Sequence, residues 1–128
     1  MAHHSHFTAL YDANVLYSAP MRDLLMNLAL TGLFRAKWTD EINAEWGRSL
    51  IKNRPDLSQA DVDRVIQKMN EHIGDALVKG YEVLIPSMTG LPDPDDRHVL
   101  AAAIVGRANV IVTYNLKDFP NAALDPYS

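Results

Sequence analysis

Apolar residues along this chain keep two different rhythms. Residues 7–12, 81–86 and 109–113 are nearly continuous apolar runs. Runs of that kind predict strands covered on both faces, because a half-exposed strand would alternate. A shorter run at 33–38 is compatible with a minor strand. Between these, the rhythm becomes helical. Leu24, Leu25 and Leu28 recur from Met21 after a break at Ser18-Ala19-Pro20, and Gly32 predicts the end of that helix. Thr39 and Asp40 are N-cap material for a helix reaching about Asn53, with Ile42, Trp46 and Leu50 on its buried face. Pro55-Asp56 predicts a turn. Ser58-Gln59-Ala60-Asp61 has the spacing of a capping box, and Val62, Val65, Ile66, Met69 and Ile73 follow on one face. Residues 87–92 predict a loop, and Asp93-Pro94 opens another helix with Pro in its first turn.

Strands that alternate with helices and are buried on both faces predict an α/β fold with a parallel sheet and right-handed crossovers. In such sheets, sites lie outside the carboxyl ends of the strands. The chain has 128 residues, 48% of them hydrophobic, which suits a single domain over residues 1–128. There is no Cys, so disulfides, thiolate zinc sites and a Cys nucleophile are excluded. No apolar run approaches the roughly 20 residues of a membrane span. The start, Met1 to Phe7, lacks the apolar core of a signal peptide, so a cytoplasmic location is expected.

The charge changes the picture most. Sixteen Asp plus Glu face 12 Lys plus Arg, a net of −4, where nucleic-acid binders usually carry a basic surplus. The placement of the acids reverses that inference. Asp12 ends the first strand and Asp118 follows the third. Glu45 sits at the margin of the buried face of its helix, on the same flank as Glu41. Asp96 closes the acidic run Asp93-Pro94-Asp95-Asp96 at the mouth of a helix that is apolar all round from Val99 to Val105.

Each acid alone has a structural explanation. Asp12 and Asp118 can cap turns, Glu45 can pair with Arg48 at i+3, and Glu41 suits a helix's first turn. Asp93 and Asp96 can cap each other reciprocally. Glu41 and Glu45, however, are like charges at i,i+4, which is unfavourable unless a cation stands beside them. If the four carboxylates converge, each pair about 5 Å apart repels by roughly 3 kcal/mol at an effective dielectric of about 20. A fold seldom keeps that without a cation. All-oxygen ligation suits Mg²⁺ or Mn²⁺, and such a cluster favours metal-assisted phosphoryl chemistry. With four acids neutralised in this way, 12 acids and 12 bases remain.

Four segments, Leu10-Tyr11-Asp12-Ala13-Asn14-Val15-Leu16, Glu41-Ile42-Asn43-Ala44-Glu45-Trp46, residues 93–103 and residues 110–119, together resemble the PIN domain. The likeness is strongest to the VapC-like toxins of toxin–antitoxin pairs. It covers nearly the whole chain, in the family's order and spacing. It implies a three-layer α/β/α sandwich around a parallel sheet of about four strands, and a Mg²⁺- or Mn²⁺-dependent endoribonuclease acting on RNA. Carried over by position, the metal-binding and catalytic acids are Asp12, Glu45, Asp96 and Asp118, with Glu41 as substitute for Glu45. Asn14, Thr113 and Asn115 are supporting polar groups. A toxin would have a cognate antitoxin protein as partner, and PIN-like proteins often form homodimers. Asn115 stands where some relatives carry Asp, which leaves one or two ions open. Relatives usually add a short last strand where this sequence reaches Ser128, which leaves open whether that strand is absent or the sheet is finished differently.

Arg48, Lys52, Arg97 and Lys117 are candidates to steer an RNA backbone, although each is also an ordinary solvated charge. The alternative function is a non-catalytic PIN-like module that holds RNA or a protein, which Asn115 keeps open. A haloacid-dehalogenase-type phosphohydrolase would want an acid where Asn14 stands, and a phosphoreceiver domain lacks its acidic pair and lysine. His98 reads as packing or rim, Trp38 and Trp46 as core rather than base-stacking groups, and His3, His4 and His6 as a terminal cluster.

Overall fold

The computed structural model describes residues 7–120. Strand β1 (Thr8–Tyr11) leads through the single turn α1 (Ala13–Leu16) into α2 (Ala19–Leu30). Strand β2 (Arg35–Lys37) follows, then α3 (Asp40–Asn53) and α4 (Gln59–His72). After two 3₁₀ turns, Glu82–Ser87 and Pro94–Asp96, come α5 (Arg97–Val105), strand β3 (Val110–Val112) and a last 3₁₀ turn, Leu116–Asp118. The sheet is parallel, in the order β2-β1-β3. The chain leaves β1 first towards β2 and returns on the other side at β3. That change of direction opens a crevice at the carboxyl ends of β1 and β3, where Asp12 stands.

Local chemistry sets most helix boundaries as the sequence predicts. Thr39 caps α3 by accepting from the Ile42 amide at 2.9 Å. Ser58 and Asp61 close a full capping box on α4. The helices pack on the sheet through Leu10, Tyr11, Trp38, Ile42, Trp46 and Val99, all essentially inaccessible. Both tryptophans are therefore core, and their indole N–H groups are satisfied by Asn70 and Asn43. Gly47 lets α3 approach α4 closely, because a Cβ there would lie 2.8 Å from a Val62 methyl. Helix α5 carries Ala101 and Ala102 fully buried, which fits its all-round apolar sequence.

One expected strand is absent. Residues 81–86 were the second clear strand by pattern, but Glu82–Ser87 winds as a 3₁₀ helix with Val83 largely exposed. The chain meets the sheet edge earlier, where Leu77 forms a one-residue parallel bridge with Trp38. Gly80, at φ +79°, then turns it away before the apolar run begins. Among the described residues the sheet accordingly has three strands and one bridge, where about four strands were expected. The expectations about His3, His4, His6 and a last strand lie outside the described residues.

Candidate active site

Asp12 is held by the fold itself. It is the N-cap of α1, with Oδ1 accepting from the Ala13 amide at 2.8 Å. Its Oδ2 accepts from Thr113 Oγ1 at 3.0 Å, and Asn14 Nδ2 lies 3.4 Å away. Asn14 Nδ2 also donates to Thr113 Oγ1, and Asn14 Oδ1 accepts from the Tyr114 amide. These bonds lace the end of β1 to the end of β3, across the crevice. Asp12 is only 6% exposed. Burial raises its pKa, its bonds to Thr113 and Ala13 pull the other way, and the nearby Glu45 raises it further.

Asp96 is placed differently. It ends the short turn before α5 and makes no side-chain cap bond, so the reciprocal cap with Asp93 is not formed. Asp93 does that work alone, accepting from the Asp95 amide at 2.9 Å. The Asp96 carboxyl is pushed up to about 6, first by burial and then by the charges of Asp118, Asp12, Asp93 and Glu45. Asp12, Glu45 and Asp118 thus all act on Asp96, and Glu45 also acts on Asp12, although the four acids come from separate elements.

Between the two glutamates of α3, the contacts distinguish clearly. Glu41 Oε1 accepts from Tyr81 Oη at 2.9 Å. Glu45 is among the charges that raise the pKa of both Asp12 and Asp96. Glu45 makes no ion pair with Arg48 among the described residues; its Oε1 is 3.4 Å from His98 Nε2. His98 is buried, with Nδ1 3.8 Å from Glu41 Oε1. Burial alone would lower the His98 pKa, but Glu45, Glu41 and Asp12 outweigh it and hold it above the ordinary value. His98 is thus packed rather than on the rim, with its two nitrogens beside the two glutamates of α3. The signal for it was the like-charge pair at 41 and 45.

Two clefts flank Glu45. One of about 260 Å³ lies between Asn14, Tyr17, Trp46 and Ser49. The other, about 310 Å³, is lined by Arg48, Arg97, His98 and Glu45 among others. Arg48 and Arg97 are thus brought beside the acids, and Arg97 Nε donates to the Pro94 carbonyl. Lys52 and Lys117 are exposed and line neither cleft. Asn115 turns its amide to Thr113 Oγ1 at 3.1 Å and so supports the Asp12 network through the backbone.

The donor set fits a hard divalent cation. It is all oxygen, Asp12 is preorganised, and no Lys or Arg pairs with any of the four acids among the described residues. Among those residues, no three His, Asp or Glu side chains form a ready-made metal cage. Mg²⁺ needs none, since it usually keeps several waters and takes one or two carboxylates together with substrate phosphate oxygens.

A family model described as "PIN domain" matches residues 8–117. A segment of 52 residues is 56% identical to "Putative ribonuclease VapC50" of Mycobacterium tuberculosis. That match covers 41% of this chain and 30% of the relative's length. No solved structure matches. No helix among the described residues is long and apolar enough to cross a membrane.

Proposed function

Because this chain belongs to the PIN-domain family, we propose that it is a Mg²⁺- or Mn²⁺-dependent endoribonuclease that hydrolyses RNA phosphodiester bonds. The observation that carries the reading is the gathering of Asp12, Glu45 and Asp118 around Asp96, whose carboxyl is raised to about 6 by burial and by these neighbouring acids. Asp12, Glu45, Asp96 and Asp118 would hold the ion. When bound, it would activate water and offset charge on the scissile phosphate. Asp12 offers an oxygen fixed by Ala13 and Thr113, so little side-chain freedom is lost when it binds. Arg48 and Arg97 would draw the RNA backbone to the cleft beside Glu45. The resemblance to VapC50 supports the finer form of the proposal, a cytoplasmic toxin restrained by a cognate antitoxin protein, and a homodimer is compatible with it.

Asp12→Asn and Asp96→Asn test this directly. Each removes a charge while keeping the side chain's shape, and Mn²⁺-dependent cleavage of single-stranded RNA should fall on the order of 10²–10³-fold. Circular dichroism should show the fold unchanged. Undiminished cleavage by both variants would sink the assignment. A wild-type chain that binds RNA yet takes up no Mn²⁺ in calorimetry would favour the non-catalytic module instead.

A further inference from the structure

We propose that His98 is a positioning residue for Glu45. It holds one oxygen of that carboxylate, Oε1, and leaves the other for the divalent cation. The inference rests on the metal part of the function proposed above. His98 is 5% exposed, and its Nδ1 has no hydrogen-bond partner. A histidine serving only as core would be expected to satisfy its buried nitrogens with backbone or other polar groups. Here both nitrogens instead face carboxylates, Glu45 at 3.4 Å and Glu41 at 3.8 Å. Glu41 is in turn anchored by Tyr81 Oη, which donates to that same Oε1 at 2.9 Å, and Tyr81 is itself buried. The result is a row, Tyr81, Glu41, His98, Glu45, that runs from the loop before residues 82–87 to the edge of the acidic site.

The row answers a mechanical need. Glu45 has a long side chain on a helix flank, with 43% of that side chain exposed, and the charges of Asp12 and Asp96 push it away. Left to itself, it would turn to solvent. His98 sits in α5, two residues after Asp96. One helix entry therefore sets both Asp96 and the group that holds Glu45, so the two acids keep a fixed relation. Groups that orient a metal ligand in this manner typically change metal affinity 10–100-fold when lost.

The test measures Mn²⁺ binding by calorimetry on the metal-free full chain, apart from any RNA assay. His98→Ala should weaken Mn²⁺ binding about 10–100-fold. His98→Gln, whose amide nitrogen reaches towards the Nε2 position, should restore most of it, whereas His98→Asn, which mimics Nδ1, should not. In a Glu45→Gln background, His98→Ala should change affinity by less than about twofold. Equal affinities for the Gln and Asn variants, or a full effect of His98→Ala without Glu45, would overturn the proposal. If His98→Ala fails to fold, the comparison of Gln with Asn still decides. A wild-type chain that binds no Mn²⁺ overturns this inference together with the metal reading. Mn²⁺ binding with the predicted variant pattern but no RNA cleavage upholds it and removes the ribonuclease reading alone.

Discussion

Asp12 and Asp96 carry the same functional group at the two ends of one crevice, yet the fold treats them oppositely. Asp12 is embedded. A helix N-terminus, a threonine hydroxyl and a nearby asparagine amide converge on its carboxylate. Asp96 is presented at the mouth of α5 with no capping bond, among four other acids. Both pKa values are raised by burial first. For Asp12, hydrogen bonds then oppose the rise; for Asp96, every further influence adds to it. One acid is therefore part of the architecture and the other is a load on it. A site built this way has a rigid wall and a wall that awaits its counter-charge.

Truncation should separate the two walls most sharply. Asp12→Ala leaves the buried Ala13 amide without its acceptor and releases Thr113 and Asn14. The cost should be about 1–3 kcal/mol, a fall in Tm on the order of 5–10 °C for a domain of this size. Asp96→Ala breaks no such bond and removes repulsion, so the metal-free protein should melt slightly higher at pH 7. Thermal melts of the two variants read out the contrast directly. A loss of stability in both would mean that Asp96 is structural after all.

The second effect is a pH dependence that the cation should invert. In the fold Asp96 holds its proton up to about 6, against an ordinary value of 3.8. Between those values the folded chain binds more protons than the unfolded one, so stability falls as pH rises. The raised Asp12 and His98 act in the same direction. Asp56, lowered by its bond to Arg54, and Asp61, lowered by the Ser58 amide, act oppositely, but below the ordinary carboxylate range. From pH 5 to 7 the metal-free protein should therefore lose thermal stability. With saturating Mn²⁺ the order should reverse, because the ion favours the deprotonated acids. Melts that show the same slope with and without Mn²⁺ would contradict a metal at this site.

The rigid wall was the more legible one in the sequence. Asp12, Asn14 and Thr113 sit at strand ends, and the rule for parallel sheets brings strand ends together without further information. Caps at Thr39 and Ser58 were legible for a similar reason, since their partners lie three residues away. What depended on distant partners was not. Glu41 and Glu45 share one helix flank, and their different partners, Tyr81 Oη for Glu41 and His98 Nε2 for Glu45, come from distant segments. Residues 81–86 have the apolar content of a strand, but the sheet edge beside Trp38 was already taken by Leu77. The repulsion between positions 41 and 45 pointed to a partner for that flank. It could not say that the partner would be a buried imidazole on another helix.

Asp118 gives the smallest and finest test of the comparison. Its charge is the largest influence on Asp96 after burial. It sits in the short 3₁₀ turn Leu116–Asp118 beyond β3, where its amide donates to the Asn115 carbonyl at 3.0 Å. If it shapes the field rather than gripping the ion, Asp118→Asn should lower the Asp96 pKa towards the ordinary carboxylate value, as read by carboxyl-carbon NMR titration. Mn²⁺ binding should then weaken only a fewfold, well short of the loss in Asp12→Asn. The same change would flatten the metal-free pH slope, since that slope comes partly from Asp96. A loss of Mn²⁺ binding equal to that of Asp12→Asn would instead make Asp118 a ligand of the first rank, placing a decisive group on the wall that lacks architecture. An unaltered Asp96 titration would show that its raised pKa comes from burial and the remaining acids, and that Asp118 stands outside the cluster.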